Sequence, residues 1–477
     1  MKNSPERELE TEFRILFQGF RHFQLPEGPG REIRHKLPDV IIPGMHMGPR
    51  KTPWPRWGLV SLAGLVTLAL TAVLVYQIPA VNNRLFWRIE ILKGHIRGLL
   101  NPGDTLPVAQ AYPEGPAAAA PVPMPDAAGS RAGAAEIDVL PATATSPPAA
   151  TAIPTPDYKL INPPEAVTLT APEWEKQGWN NCGPTTLAMG LRYWGWAGDQ
   201  QDVVEVLKPS RLDKNVRWDE LVYYVKTQAG WLDATFRVGG TPEMVRKFVA
   251  NGYPVILEKG FVIEENNTGW TGHYNLVTGY DDKTQTWIAQ DSWKGADQIV
   301  SYADMNKDWQ AFNYLYILVY PVEDKEKILF MLGQDAVEAE NREHALEIAQ
   351  RETETDSDNA FAWLNYGSNL TYFERYEEAA AAFDRAREIG LPYRVLWYQF
   401  GPYRAYYNLA RFQDVIDLAD ATLSKSDNLE ESYFWRGWAR YSTGDLDGAI
   451  ADFRTALQHN PNYLDAKNAL SFLGVSS

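Results

Sequence analysis

Cys182 and His273 are the two residues in the central part of this sequence whose types suit nucleophilic catalysis. Cys182 is the only cysteine of the chain, and His273 is the only histidine between residues 166 and 322. A thiol attacks carbonyl groups when a neighbouring imidazole accepts its proton and a third group orients that imidazole. The pair therefore predicts a thiol nucleophile with a histidine base.

The segment that begins at Cys182 has the pattern of a helix N-terminus. In CGPTTLAMGLRYWGW, Pro184 suits the first helical turn, and Leu187 and Leu191 fall on one face. Unpaired N–H groups and the positive end of the helix dipole favour a thiolate at such a position. The N–H of Cys182 can also hold a developing oxyanion, and the side chain of Gln177 is expected to supply a second donor.

Asp291 is predicted to orient the imidazole of His273. The stretches HYNLVTGY (273–280) and TWIAQDSW (286–293) have the composition of strands and are joined by DDKTQ, which indicates a turn. A turn centred near residues 282 and 283 sets His273 opposite residue 291 or 292 of an antiparallel partner. Asp291 would then accept the second ring N–H of the imidazole.

Each of these residues also has a structural interpretation. A lone cysteine is usually a small buried apolar residue, and a lone histidine at the start of a strand is usually structural. The order and spacing of all four candidates favour the catalytic interpretation. Trp179 and Trp293 flank them, and these two residues either pack in the core or line substrate subsites.

The elements that must position these groups indicate an α+β domain over residues 166–322. A helical half comes first, and the stretches 253–261 and 313–320 add two further predicted strands to the pair described above. A helix N-terminus that carries the thiol would then face a strand that carries the imidazole.

Residues 326–477 repeat a helical pattern with a period of about 34 residues, which is typical of tetratricopeptide repeats. Gly367 and Phe383 recur as Gly437 and Phe453, small and bulky residues where paired helices would touch. We expect three to four repeats in an all-α solenoid. Such arrays present a groove that binds a protein partner, and the alternative is that the array only scaffolds or dimerises the chain.

The run QGWNNCGPTTLAM, followed by GHYNLVTGY and DSW, resembles the bacteriocin-processing, double-glycine-leader class of papain-like cysteine peptidases, in its stand-alone bacterial branch. The resemblance covers about a third of the chain. It implies a papain-like fold with Cys182 as nucleophile, His273 as general base, Asp291 as orienting residue and Gln177 at the oxyanion hole.

Two departures from that class limit what the resemblance implies. The best-known members are fused to an export ATPase, and this chain contains no Gly-x-x-x-x-Gly-Lys-Ser/Thr run. Gln177 precedes the cysteine by five residues, whereas the papain-like spacing is six. Cleavage after a double glycine is therefore not carried over to this chain.

The N-terminal part of the sequence predicts attachment to a membrane. Residues 57–79 include twenty consecutive uncharged residues, enough for a helix to cross ~30 Å of hydrocarbon. Residues 82–100 are expected to form an amphipathic helix on the membrane surface, with a plain solvated helix as the alternative. Residues 1–56 would be cytoplasmic, and the Ala/Pro-rich residues 101–165 a disordered linker. We expect a single-pass protein of the cell membrane with its peptidase and repeat domains outside the cytoplasm.

Composition excludes several classes of function. The net charge of −16 disfavours nucleic acid as a partner, and one cysteine excludes a disulfide framework or a Cys-rich zinc site. No metal site and no cofactor are expected.

The sequence therefore predicts a membrane-anchored cysteine peptidase that hydrolyses a peptide or protein substrate and uses its repeats for docking. The alternatives are a catalytically silent binding or scaffold protein, a transpeptidase or amidase on the same triad, and a protein in which the repeats are the working part.

Overall fold

The computed structural model describes residues 64–101 apart from 65, 69 and 72, and residues 103–110, 158–263 and 269–476. The chain forms two compact units, Met1–Gln77 and Ile78–Ser477. In the first unit, the described residues between 64 and 76 are helical. Among the described residues, no helix has the length and apolar character needed to cross a membrane. Residues 1–56, most of the predicted linker and much of the predicted span 57–79 lie outside the described residues.

The predicted α+β peptidase domain is present in the second unit. The long helix α1 (Pro79–Leu100) precedes this domain, whose first elements are β1 (Ala166–Thr168), α2 (Cys182–Tyr193), α3 (Gln200–Leu207) and α4 (Trp218–Gln228). The elements that follow are β2 (Leu232–Arg237), α5 (Pro242–Ala250), β3 (Val255–Ile263), β4 (Gly269–Asp281), β5 (Thr286–Asp291), β6 (Gly295–Ser301), α6 (Tyr302–Gln310) and β7 (Tyr316–Pro321). The strands form an antiparallel sheet in the order β2-β7-β3-β4-β5-β6, and β1 also pairs with β4.

Helix α2 begins at Cys182, as the sequence pattern predicts. Leu187 and Leu191 are fully buried, and they belong to a core that also contains Ile256 of β3 and Leu276 of β4. The apolar face of α2 therefore fixes the helix against the sheet. This packing sets the position of the helix N-terminus, and with it the position of the thiol.

The register of β4 and β5 differs from the prediction. Asp291 pairs with Asn275, not with His273, and a bulge lies between Val277 and Gly279. The turn is also centred later than expected, because Asp281 pairs with Thr286. His273 and Asn275 still lie on the same face of β4, since side chains alternate along a strand. Asp291 is consequently the diagonal neighbour of His273, within reach of its ring.

The remainder of the chain forms the predicted helical repeats. The helices are α7 (Lys325–Leu332), α8 (Glu338–Thr355), α9 (Ala360–Tyr372), α10 (Tyr376–Ile389), α11 (Gly401–Asn408), α12 (Phe412–Lys425), α13 (Glu430–Ser442), α14 (Leu446–His459) and α15 (Leu464–Phe472). A Cβ on Gly367 would lie 2.6 Å from the ring of Phe383, and one on Gly437 would lie 2.7 Å from that of Phe453. Glycine is therefore required where these helices pair.

The repeat array packs against the peptidase domain through the first helix of its pairs and the segment before α11. Asn365 of α9 donates from its Nδ2 to the carbonyl of Gln310 at 2.7 Å. Trp270 of β4 stacks on Phe361 with ring centroids 5.6 Å apart. The hydroxyl of Tyr398, just before α11, lies 3.2 Å from that of Thr271. The array therefore contacts the strand that carries His273.

The first residues of the predicted linker are ordered against the array. Leu106 is 3% exposed, and its N–H donates to the carbonyl of Leu391 at 2.8 Å. Arg387 donates to the carbonyl of Pro107 at 2.7 Å. The prediction that the linker begins at residue 101 is therefore wrong for these residues, because the array supplies partners for their backbone. Residues 158–165 are also described, and Tyr280 donates to the carbonyl of Pro164.

Helix α1 confirms the predicted helix over 82–100 and begins three residues earlier. Leu92, Ile96 and Leu99 are exposed along its length. Arg97 of this helix donates from its Nη1 to Asp427 of the repeat array at 2.9 Å. One side of α1 is thus attached to the array, while an apolar stripe remains exposed.

Candidate active site

His273 and Asp291 form a buried pair on adjacent strands. The distance between His273 Nε2 and Asp291 Oδ1 is 2.8 Å, and the two residues are 4% and 2% exposed. Asp291 Oδ1 also accepts from the backbone N–H groups of Trp293 and Lys294, at 2.8 and 2.9 Å. These two backbone hydrogen bonds therefore fix the carboxylate independently of the imidazole. Since Nε2 is engaged by Asp291, Nδ1 is the ring nitrogen that remains for another partner.

Cys182 supplies that partner. Its side chain is half-buried and unpaired in any disulfide. Burial alone would lower the pKa of His273, but the charge of Asp291, the hydrogen bond to it and the hydrogen bond with the Cys182 thiol together raise that pKa to about 9. The imidazole is consequently charged at neutral pH, beside a thiol at the N-terminus of a helix. That is the environment in which a thiolate is stabilised.

The pKa of Asp291 changes in the opposite direction. Burial would raise it, but the charge of His273 and the hydrogen bonds from His273, Lys294 and Asn275 outweigh burial and lower the pKa well below its usual range. Asp291 is therefore ionised over the whole range in which the protein is expected to work. It fixes the ring orientation of His273 and stabilises its charge.

Gln177 lies next to the Asp291 turn. Its N–H donates to the carbonyl of Ser292 at 3.0 Å, and its Oε1 accepts from the Ser292 hydroxyl at 2.8 Å. Because Oε1 is engaged, the group that Gln177 can offer to a substrate oxygen is its Nε2. The structure thus holds Gln177 in one orientation, through a contact with Ser292 that the sequence pattern does not indicate.

Other buried groups lie within electrostatic reach of Cys182, and Lys208, Glu258 and Tyr398 are among those that the sequence did not indicate. Burial lowers the pKa of Lys208, while it raises that of Glu258 well above its usual range and that of Tyr398 to about 12. Lys208 follows α3, Glu258 is on β3, and Tyr398 belongs to the repeat segment. No short motif marks them, because each is brought to the thiol by long-range packing.

The flanking tryptophans differ in exposure. Trp293 is 45% exposed, next to the turn that fixes Asp291. Trp179 is half-buried, and its carbonyl accepts from Lys208 at 3.3 Å. Trp293 is therefore available to a ligand, whereas Trp179 is part of the loop that leads to the nucleophile.

A thiol at a helix N-terminus beside a buried His–Asp pair on a neighbouring antiparallel sheet is the arrangement expected of a papain-like fold. Residues 168–317 match the model of the Peptidase_C39 like family, and residues 430–463 match that of the tetratricopeptide repeat. The central domain of the chain therefore matches the C39-like peptidases, and a tetratricopeptide array follows it. No curated protein matches the chain.

Several solved structures are similar to parts of the chain. A Bacillus anthracis protein described as a C39-like peptidase is 19% identical, with a TM-score of 0.28, and the match covers 33% of this chain and 98% of that one. The peptidase domain of Streptococcus ComA, a bifunctional ABC transporter of a quorum-sensing pathway, is 17% identical with a TM-score of 0.25, covering 32% and 99%. MamA from Desulfovibrio magneticus RS-1 is 15% identical with a TM-score of 0.27, covering 32% and 84%.

The raised pKa of His273 predicts a specific dependence of stability on pH. Below pH ~6.5 the imidazole is charged in both the folded and the unfolded chain, so the pairing with Asp291 stabilises the fold fully. As the pH rises to about 9, the folded protein must give up this proton and the stabilisation is lost. Chemical denaturation at a series of pH values should show the free energy of unfolding falling by about 3 kcal/mol over this interval.

Asp291→Asn should abolish most of this slope, because the raised pKa depends on the carboxylate. His344→Ala is the matched control, since His344 is 45% exposed and its contact with Asp335 is at the surface. Equal slopes in the parent and in Asp291→Asn would contradict the assignment of the charge to this pair.

Proposed function

We propose that this chain is a cysteine peptidase that hydrolyses peptide bonds through a Cys182 thiolate. The observation that carries the proposal is the 2.8 Å hydrogen bond between His273 Nε2 and Asp291 Oδ1, which leaves Nδ1 for the thiol at the start of α2. A purely structural histidine would not need a buried carboxylate that is itself held by two backbone N–H groups.

The reaction follows from the placement of these groups. The Cys182 thiolate attacks the carbonyl carbon of the substrate, and the negative charge moves to the carbonyl oxygen. The N–H of Cys182 and the Nε2 of Gln177 are the donors proposed for that oxygen. His273 then gives its proton to the leaving amine, and a thioester with Cys182 remains. Water, deprotonated by His273, hydrolyses the thioester and restores the thiol.

The proposal predicts that cleavage depends on each of these side chains to a different extent. The purified full chain is incubated with a mixture of peptides, and new termini are identified by mass spectrometry. Cys182→Ala should abolish cleavage, because no other thiol is available. Gln177→Ala should lower kcat by about 10²–10³, the usual loss for one oxyanion donor. His344→Ala should cleave like the parent.

Cleavage that survives Cys182→Ala would contradict the proposed nucleophile. Specific binding of peptides without cleavage by the parent would instead favour the silent binding protein. The same assay detects a transpeptidase or amidase. With an added amine, the mass of the new carboxyl terminus would show the amine incorporated in place of water.

The repeat array is proposed to dock a protein partner or substrate beside the active site. Tyr398 contacts Thr271, two residues before His273, so a chain bound on the neighbouring repeat surface would lie close to the thiol. Part of the array already contacts the peptidase domain through Asn365 and Phe361, which leaves the other surfaces for a partner. Hydrogen exchange of the Cys182→Ala chain, with and without a peptide identified as a substrate, should show protection in the array as well as near Cys182.

We also propose that residues 57–79 anchor the chain in the cell membrane with its C-terminal part outside the cytoplasm. The twenty uncharged residues of that stretch and the exposed Leu92, Ile96 and Leu99 of α1 support the proposal.

Expression of the full chain in bacteria tests this topology. The protein should remain in the membrane after alkaline extraction, and protease added to spheroplasts should digest residues beyond α1. Release of the chain into the soluble fraction, or protection of those residues in intact spheroplasts, would contradict the anchor or the orientation.

A further inference from the structure

Lys208 is a buried lysine that contacts the loop leading to Cys182. It is 6% exposed, and its Nζ lies 3.3 Å from the carbonyl of Trp179, 3.1 Å from that of Asn180 and 2.9 Å from Oδ1 of Asn181. An ammonium group has three N–H donors, and here each has an acceptor. Burying a charged group without such partners would be strongly unfavourable. The position is therefore built to hold a charged lysine.

These contacts determine the direction of the backbone before the nucleophile. In a planar trans peptide, the carbonyl of one residue and the N–H of the next point in opposite directions. Because Lys208 attracts the carbonyls of Trp179 and Asn180, the N–H groups of Asn180 and Asn181 are directed away from it. Asn180 has a φ of 53°, a left-handed conformation that asparagine tolerates better than most residues. The ammonium thus fixes the loop between Gln177 and Cys182.

The ammonium also places a positive charge near the thiol. Burial lowers the pKa of Lys208, whereas the charges of Asp213 and Cys182 raise it. The interaction is mutual, so a charged Lys208 favours the thiolate of Cys182 to the same extent. Other described groups also act on Cys182 or Lys208, and they include His273 and Tyr274 on β4, Glu258 on β3, Tyr398 of the array, and Asp213 and Lys214 in the loop after α3.

Two of the groups named above that act directly on the thiol are cations, His273 and Lys208. His273 pairs with Asp291, which offsets its charge. Burial raises the pKa of Glu258 well above its usual range, which favours its neutral form. Lys208 is held by uncharged oxygens of the loop, so its charge is not neutralised by direct contact.

We propose that Lys208 is a positioning residue of the peptidase reaction, which holds the loop of residues 179–181 in place and stabilises the Cys182 thiolate through space. The inference rests on the proposed function, since it assigns a role in the same reaction. It predicts that the reactivity of Cys182 depends on a lysine that makes no contact with substrate.

The test uses the full chain and iodoacetamide, whose reaction reports on Cys182 alone because the chain has one cysteine. Lys208→Met keeps the length of the side chain and removes the charge. It should slow labelling at neutral pH about tenfold and move the pH profile to higher pH, because the reactive thiolate loses a nearby cation. Lys247→Met is the control, because Lys247 also donates to a backbone carbonyl, that of Met331 at 2.6 Å, and should keep the parent profile.

Asn181→Asp is a second variant, for the case in which Lys208→Met does not fold. This variant keeps the Lys208 ammonium and places a carboxylate where Asn181 Oδ1 now accepts from it at 2.9 Å. The carboxylate neutralises the charge of the ammonium. The profile should move in the same direction, while near-ultraviolet circular dichroism reports whether the tertiary structure is retained. Labelling like the parent in a folded Lys208→Met or Asn181→Asp would overturn the proposal.

His273→Ala separates this outcome from failure of the proposed function. If His273→Ala slows labelling while Lys208→Met and Asn181→Asp do not, the catalytic pair stands and the role of Lys208 is rejected. If the parent itself reacts like an ordinary thiol and His273→Ala changes nothing, both proposals are overturned.

Discussion

The hydrogen bond between His273 and Asp291 is the interaction on which the account of this site depends. It joins two adjacent strands in a buried position and gives the imidazole a fixed orientation and a charge at neutral pH. The backbone N–H groups of Trp293 and Lys294 hold the carboxylate before any substrate arrives. Without this pair, the thiol at the start of α2 would have a helix dipole but no base. The sheet and the packing of α2 matter to function chiefly because they bring Cys182 to this pair.

The sequence was sufficient to predict much of this arrangement. Cys182, His273 and Asp291 were nominated by type, by order and by the hairpin between β4 and β5, and the structure brings them together. The hairpin register itself was wrong, since a bulge near Gly279 and a later turn pair Asp291 with Asn275. The contact is nevertheless present because the alternation of side chains keeps both residues on one face. A bulge carries no reliable short-range signal, so this detail was beyond sequence reasoning.

The contacts that the sequence did not predict join residues that are far apart in the chain. Lys208 follows a short helix, where a lysine is usually solvated. Here its ammonium instead contacts three oxygens of residues 179–181. Tyr398 belongs to a repeat and reaches the strand of His273. The periodicity predicted the helices of the array but not the surface on which they pack. Leu106 shows the same limit, because an Ala/Pro-rich composition predicts disorder and cannot reveal that the array provides partners for its first residues.

The most direct test of the central claim is the ionisation of the single thiol. A thiolate absorbs in the ultraviolet where a thiol does not, so a difference spectrum between the parent and Cys182→Ser, recorded across pH, measures the fraction ionised. The account predicts that the thiolate is already present at neutral pH in the parent and that His273→Ala removes it at that pH. A signal that appears only in the alkaline range of an ordinary thiol, and is the same in His273→Ala, would contradict the account.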